Sequence, residues 1–593
     1  MSKPTRRPLP LILIRGFGGF NTEDERKLTY QGFTDGSVYP QKQGENYIYE
    51  GLILRFMKSQ WQYQDATNVV GYYGSKIEND PILPRKLQYL EEMIQNGSIL
   101  PPKLQELEGK DVTNKFKRLQ ALGYFSGDKV IIDPAMALHL LESADDPCQS
   151  LWVFRYYDLK DRKYDTYGKA LVRLIDFIRE LAAMQDGSRP KVNIIAHSMG
   201  GLLVREAVQR TYPAHGLKAE DYINKIVTLG TPHQGVSLQI LKDWLPIEAE
   251  EEFERFNPEF QKSLTLKNGE ENRASYLYFK DHFPLNRLLT VVGTNYRTYN
   301  NTSATVLNRF FSAPGEYGPN YNRSDGLVKQ TYAQIPGAPR TFIHKCHGGF
   351  DSLLTCRESF EVATRFLFGN VRSRLRLVKA NITRGKDWFG KSEFFFGVSI
   401  KPRGVDFELF HQSKEAENCY GPFTKEDLSD KNVALPWADG NKLIWEGYLD
   451  TTQILEDDSI TPKDMVMRVD FYVGERDLLG IGFSDNVIFY KQYYIRALLR
   501  PELKLSLHTG EEFAQRRFVP LPENEMRRTA QGWEFDVKGT GFDGTFRIEI
   551  DQVPLDGEPV PLTEEMVKKA NKQEQEAVDS QNVGASVTDS FSL

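Results

Sequence analysis

Cysteine is scarce in this chain: 593 residues hold four, Cys148, Cys346, Cys356 and Cys419, widely separated and with no C-x-x-C pair. That spacing excludes a disulfide framework and a structural zinc ribbon, and it fits a reducing compartment. A charge surplus is also missing, since 75 Lys+Arg stand against 81 Asp+Glu for a formal net charge of −6. A nucleic-acid partner is therefore not expected, because such proteins carry a basic excess. No apolar run reaches the ~20 residues needed to span a bilayer. Arg6-Arg7 ahead of Leu9-Pro10-Leu11-Ile12-Leu13-Ile14 has the look of an export leader. Pro10 breaks that run and Arg15-Gly16 end it, short of the ~7–15 apolar residues and small-residue cleavage site a leader needs. The segment reads as a buried strand, and a cytoplasmic protein is expected, with leaderless export compatible.

What is present is material for more than one core. At ~150 residues per domain the length calls for several units, and an aromatic content of 12% excludes wholesale disorder. Leu11–Ile14, Leu151–Phe154, Val192–Ala196, Lys225–Leu229 and Leu288–Val292 are β-rich apolar runs that each stop at glycine or a polar turn. Runs of this kind suit parallel strands buried on both faces. Between them Tyr167–Leu181 sets Leu171, Leu174, Ile175 and Ile178 at helical spacing, and Leu202–Val208 also reads as helix. The fold class expected for residues 1–371 is α/β, with a mostly parallel sheet. Residues of about 20–150 and 237–286 interrupt the rhythm and read as insertions. The second of these places Ile240, Leu241, Trp244 and Leu245 on one helical face, in position for a lid over an apolar pocket.

After about Arg374 short aromatic and β-branched runs take over: Phe394–Ile400, Val405–Phe410, Leu443–Leu449, Met465–Val473, Val487–Tyr490, Trp533–Val537 and Phe546–Ile550. They predict an all-β, sandwich-like domain over residues 372–555. Residues 556–593 turn polar and read as a disordered tail, with a helix allowed near Glu564–Lys569.

The chemistry concentrates at Lys191-Val-Asn-Ile-Ile-Ala-His-Ser-Met-Gly-Gly-Leu-Leu-Val-Arg205, where an apolar strand enters a turn with Ser198 at its apex and leaves as an apolar helix. A nucleophilic serine in such a turn needs small residues two before and two after, and Ala196 and Gly200 stand there. A plain helix N-cap would explain a serine, but not His197 before it or Gly200-Gly201 after it.

On these residues the chain resembles the α/β-hydrolase superfamily, specifically its serine lipases, in which an A-H-S-M-G elbow is a known variant. Ile226-Val-Thr-Leu-Gly-Thr-Pro-His-Gln-Gly235 is similar to the lipase G-T-P-H-x-G after the next strand, and Leu13-Ile14-Arg15-Gly16-Phe17-Gly18-Gly19 to the H-G-F-x-G that ends an early one. The likeness spans roughly residues 9–371. It implies oxyanion donors at the amides of Phe17 and Met199, with Arg15 where the family has histidine.

The resemblance also implies the chain order Ser, Asp or Glu, His for a catalytic triad. A late histidine is then His282, His344 or His347. Thr341-Phe-Ile-His-Lys-Cys-His-Gly-Gly349 runs a short strand into a glycine loop, which favours His347, with His344 ending the strand. His282 falls in the second insertion, His233 precedes the acid, and His197 reads as support for the elbow. For the acid, Asn322-Arg-Ser-Asp-Gly-Leu-Val328 resembles the lipase N-D-G-[LV]-V segment and points to Asp325, although Ser-Asp-Gly is also an ordinary turn. Asp281 is the fallback.

No cofactor is expected. Calcium would need six to eight oxygens, and Asp351 alone, or Asp427, Asp430, Asp439, Asp457 and Asp458 in the β-region, form a weak set. The expected function is hydrolysis of carboxylic esters of lipids, as a lipase or phospholipase, through an acyl-serine. The partners expected are a lipid or ester substrate and a peripheral membrane contact, with the β-domain's protein partner open. The alternatives are a non-catalytic scaffold using the hydrolase fold and β-domain for binding, or an acyltransferase or amidase on the same three residues.

Overall fold

The structure is a computed structural model. It describes residues 8–16, 37–38, 47–48, 51–66, 70–72, 83–127, 130–143, 146–154, 163–235, 255–257, 261, 276–299, 305–306, 323–349, 351–383, 392–403, 405, 407–424, 442–451, 464–476, 486–498, 503–510, 522–554, 559–563, 565–566, 568–569 and 572. Two compact units emerge. One comprises Met1–Pro314, Ser324–Ala338 and Lys345–Ala363; the other comprises Gly315–Arg323, Pro339–His344 and Thr364–Leu593.

The first unit holds β1 (Leu11–Ile14), β2 (Gln64–Asp65), β3 (Ser150–Phe154), β4 (Val192–His197), β5 (Ile223–Leu229) and β6 (Leu288–Gly293), adjacent in the order β6-β5-β4-β1-β3-β2. Every neighbouring pair is parallel. The five longer strands are buried at every position, which is why they lack an alternating pattern. The helix Tyr164–Asp186 buries Leu171, Leu174, Ile175 and Ile178, and sets Phe177 edge-on to Trp152 of β3 at 6.2 Å. It stops at Gly187, whose φ of 77° provides the left-handed turn that ends a helix.

Strand order fixes where a site can form. From β1 the chain moves outward to β2 and β3 on one side, then returns to β4, β5 and β6 on the other. The switch falls between β1 and β4, where the flanking connections diverge and leave a crevice at the strands' carboxyl ends. Gly16 follows β1 there, and Ser198 follows β4. This is an α/β-hydrolase fold.

One expectation needs correcting. The stretch of about 20–150 was read as outside the βαβ pattern, yet Gln64 and Asp65 form an edge strand pairing with Ser150 and Leu151. Two polar residues carry no periodicity, so the pattern missed them. The helical face of Ile240, Leu241, Trp244 and Leu245 lies outside the described residues. No helix among the described residues is long and apolar enough to cross a membrane.

The second unit holds β7 (Arg340–Ile343), β8 (Val371–Ile382), β9 (Glu393–Pro402), β10 (Phe410–His411), β11 (Tyr420–Phe423), β12 (Leu443–Leu449), β13 (Asp464–Arg476), β14 (Asn486–Leu498), β15 (Lys504–Thr509), β16 (Arg527–Thr529), β17 (Gly532–Gly539), β18 (Phe542–Gln552) and β19 (Val560–Pro561). Two antiparallel sheets form, one ordered β12-β8-β18-β17-β16 with β19 beside β18, the other β10-β9-β13-β14-β15 with β11 beside β9. Their apolar faces meet through aromatic rings: Phe546 of the first sheet lies 4.5 Å from Phe471 and 5.9 Å from Phe396 of the second. The strand expected at Val405–Phe410 shrinks to Phe410–His411. The polar end read as 556–593 opens with β19, paired through Asp551 and Pro561, while 573–593 lie outside the described residues.

Phe546 is fully buried between the sheets. Phe546→Ala should therefore destabilise the protein by ~3–5 kcal/mol through lost burial and a cavity, seen as a lower denaturant midpoint. An unchanged midpoint would mean the rings do not form the sandwich core.

Candidate active site

The elbow begins as a continuation of the sheet, with the Ser198 amide donating to Leu229 O at 2.9 Å. Ser198 then takes φ 51° and ψ −126°, a conformation side chains rarely adopt. The helix Met199–Glu206 starts immediately, and the Gly201 amide donates to Ser198 O at 3.0 Å. A Cβ on Gly200 would stand 2.6 Å from Ile14 O and 2.7 Å from Arg15 O, so the turn lies directly on the end of β1. A Cβ on Gly16 would stand 2.5 Å from Ser198 Cβ. These approaches explain the small residues of the sequence motif by contact with β1 rather than by local preference.

The serine hydroxyl makes no cap hydrogen bond to its helix, so the N-cap explanation fails. Ser198 Oγ lies 2.8 Å from His347 Nε2, and His347 Nδ1 lies 2.8 Å from Asp325 Oδ2. With Asp325 accepting the Nδ1 proton, Nε2 is left as the acceptor facing the hydroxyl. All three residues are buried. The other carboxylate oxygen, Asp325 Oδ1, accepts from the Leu327 and Val328 amides at 3.1 and 2.8 Å. Ser-Asp-Gly is thus a turn, as the competing reading had it, and the same aspartate also orients the histidine. A backbone tie, His347 N to Asp325 O at 2.9 Å, fixes the two loops to each other.

Two contributors escaped the sequence reading in detail. Gly230, with φ 56°, follows β5, and a Cβ there would meet Asp325 Oδ2 at 2.9 Å and His347 Nδ1 at 3.2 Å. Its place in Gly230-Thr-Pro-His-Gln-Gly235 was the available signal. His197 Nε2–H donates to His347 O at 2.7 Å, with the two rings 4.9 Å apart. The neighbour of the serine therefore holds the His347 loop by its backbone, a link 150 residues long in sequence. Burial first, then the neighbouring His347, keeps the His197 imidazole well below its ordinary range.

The remaining candidates stand elsewhere. His344 follows β7 in the second unit, its ring 6.0 Å from that of His411. His233 is buried, with Nε2 3.0 Å from Thr228 Oγ1 and its carbonyl accepting from Arg205. His282 caps the turn Phe279–Asp281, on which Asp281 is exposed. Asp351, weighed as a weak calcium candidate, pairs with Lys345 at 2.6 Å. Asp427, Asp430, Asp439, Asp457 and Asp458 lie outside the described residues, as does Phe17. Met199 is buried and opens the elbow helix, where first-turn amides have no intrahelical acceptor.

Residues 155–272, about a fifth of the chain, match a family described as a PGAP1-like alpha/beta domain, a serine hydrolase family. The matched stretch contains Ser198 and Thr231-Pro232-His233. No curated protein matches the chain. Among solved structures it is similar to the Bacillus licheniformis lipase BlEst2 in mature form, at 18% identity over 36% of this chain and 76% of that one, with a TM-score of 0.22. It is also similar to the phospholipase PlaB from Legionella pneumophila, at 12% identity over 56% and 82%, TM-score 0.23. A metagenomic carboxyl esterase, MGS0156, gives 16% identity over 35% and 60%, TM-score 0.21. At such scores these likenesses carry no weight for the site.

His197 and His233 are both held well below 6.5, chiefly by burial. Below about pH 6.5 the unfolded chain binds protons that the folded one refuses, so each residue makes stability fall as pH drops. His197→Asn should flatten the slope of unfolding free energy against pH between 6.5 and 5 by up to about one proton, or ~1.4 kcal/mol per pH unit. Denaturant melts of variant and wild type across that window check this. Parallel slopes would contradict a neutral buried His197.

Proposed function

We propose that this chain is a serine hydrolase that cleaves carboxylic esters of lipids through an acyl-serine intermediate. The observation that carries the reading is the hydrogen-bonded series Asp325–His347–Ser198, both links 2.8 Å, at the switch point of a parallel sheet. A buried carboxylate, an imidazole in a fixed tautomer and a hydroxyl held in a strained turn are the parts that acyl transfer requires.

In the reaction so read, Ser198 Oγ attacks the ester carbonyl carbon while its proton passes to His347 Nε2. Asp325, acceptor at Nδ1, stabilises the imidazolium. The carbonyl oxygen becomes an oxyanion facing the first amides of the elbow helix, that of Met199 among them, with Phe17 as the second donor implied by resemblance. As the carbonyl re-forms, the alkoxy group leaves with the proton from His347. Water then attacks the acyl-serine, gives a proton to His347, and the acid departs as Ser198 Oγ recovers that proton. Lipid esters are favoured over small soluble esters by the Thr231-Pro232-His233 segment and the elbow sequence, both by resemblance.

Hydrolysis of p-nitrophenyl esters and of a lipid ester in detergent tests this. Ser198→Ala should lower kcat by about a thousandfold or more with little change in melting temperature, and Asp325→Asn by a comparable factor, since it removes the acceptor that sets the histidine tautomer. Wild-type rates in folded Ser198→Ala would overturn the assignment.

A further inference from the structure

We infer that Arg205 is a positioning residue: from the elbow helix it fastens the loop 230–235, and through that loop the segment that carries Asp325. The inference rests on the hydrolase reading and deepens it. Arg205 stands about two turns of helix beyond Ser198 and is 5% exposed. None of its hydrogen bonds goes to Ser198, His347 or Asp325.

A guanidinium in a protein interior costs free energy unless its N–H groups and its charge are met. Among the described residues no carboxylate forms an ion pair with Arg205; the adjacent Glu206 turns to the Tyr276 hydroxyl and to Arg210 at 3.7 Å. Arg205 donates to neutral acceptors instead: Nε to Gln209 Oε1 at 2.9 Å, Nη1 to His233 O at 2.5 Å and Nη2 to Tyr276 O. Two rings face the cation, with Cζ 5.0 Å from the centre of Phe256 and 5.8 Å from that of Tyr276. Burial pushes the group down to about 9, which leaves it charged at neutral pH. An apolar side chain would fill the space at lower cost. What the arginine adds is direction, because its planar fork holds two backbone carbonyls at once.

One of those carbonyls leads to the acid. His233 lies in the loop after β5, and the next residue carries the connection on: the Gln234 amide donates to Tyr332 O at 3.2 Å, and its side chain to Thr331 O and Gln334 O, both at 3.3 Å. Residues 331–334 continue from the Asp325 turn, joined to it by the Ala333 amide on Lys329 O at 3.0 Å and by the bridge between Ser324 and Lys329. At the start of the same loop Gly230 lies against Asp325 and His347, and Thr231 packs where a Cβ on Gly201 of the elbow helix would stand. The loop is thus gripped between the elbow helix and the acid's segment, with Arg205 as the hydrogen-bonding end of the grip. A misplacement of about 1 Å can cost about a hundredfold in rate, so loosening this grip acts on kcat.

Two readings of the full-length protein test this: steady-state hydrolysis of a p-nitrophenyl ester, and hydrogen exchange of residues 228–236 and 324–334 followed by mass spectrometry. Arg205→Met should lower kcat at least tenfold with KM within about twofold, and should speed exchange in both segments. Arg205→Lys, which keeps the charge and one bond, should lose less. Gln234→Ala cuts the same connection at a partly exposed side chain, and should lower kcat without adding its full effect to that of Arg205→Lys. If circular dichroism shows Arg205→Met unfolded, Arg205→Lys and Gln234→Ala are judged by the same two readings. A merely structural arginine would lower the denaturant midpoint and leave kcat per folded molecule unchanged. That result, or wild-type exchange over 324–334 in a folded variant, would overturn the proposal. Wild type without turnover counts against the hydrolase reading alone, and exchange then decides whether Arg205 fastens the Asp325 segment.

Discussion

The backbone of Ser198 is the constraint on which the first unit depends. A serine held at φ 51° is costly, of order 1–3 kcal/mol, and it persists because contacts on three sides leave no alternative. Gly200 lies against the carbonyls of Ile14 and Arg15, Gly16 lies against the serine itself, and the Ser198 amide is bonded to Leu229. Together these dock the turn on the ends of β1 and β5, and the hydroxyl is left pointing at His347 instead of capping its own helix. The parallel sheet is what keeps those strand ends in register: Ile14 pairs with Ala196 on one side, as Ala196 pairs with Thr228 on the other.

His347 and Asp325 stand on loops that are tied to each other as well as to the serine. Asp325 holds His347 through both side chain and backbone, and His197 holds the His347 carbonyl from the end of β4. The elbow therefore contacts His347 twice, once through the serine hydroxyl and once through the ring of His197.

How much of this was legible in the sequence follows from how local each cause is. The buried strands announced themselves because both faces are covered, and the elbow because its packing against β1 demands small residues at fixed offsets. Gln64–Asp65 could not be seen, since a two-residue polar edge strand is defined by its partner and not by its own pattern. Val371–Ile382 was passed over because arginines at 372, 374 and 376 dilute its hydrophobic signal, although they alternate with buried Ser373, Leu375 and Leu377 as a half-buried strand should. Asp325 and His347 were reachable through the chain order and the N-D-G-[LV]-V likeness that the resemblance supplies, with the glycine loop after His347 separating it from His344; their proximity is made by two loops, and no periodicity records it. The grip of His197 on His347 O had no sequence signal at all.

The most direct measurement of the central claim is labelling with a fluorophosphonate probe, followed by mapping of the modified peptide. Such probes react with a serine whose proton is being taken by a base and whose developing charge is stabilised. A single adduct on Ser198, lost in His347→Ala, is expected. A folded protein that stays unlabelled with detergent present, or carries its label on another serine, would contradict it.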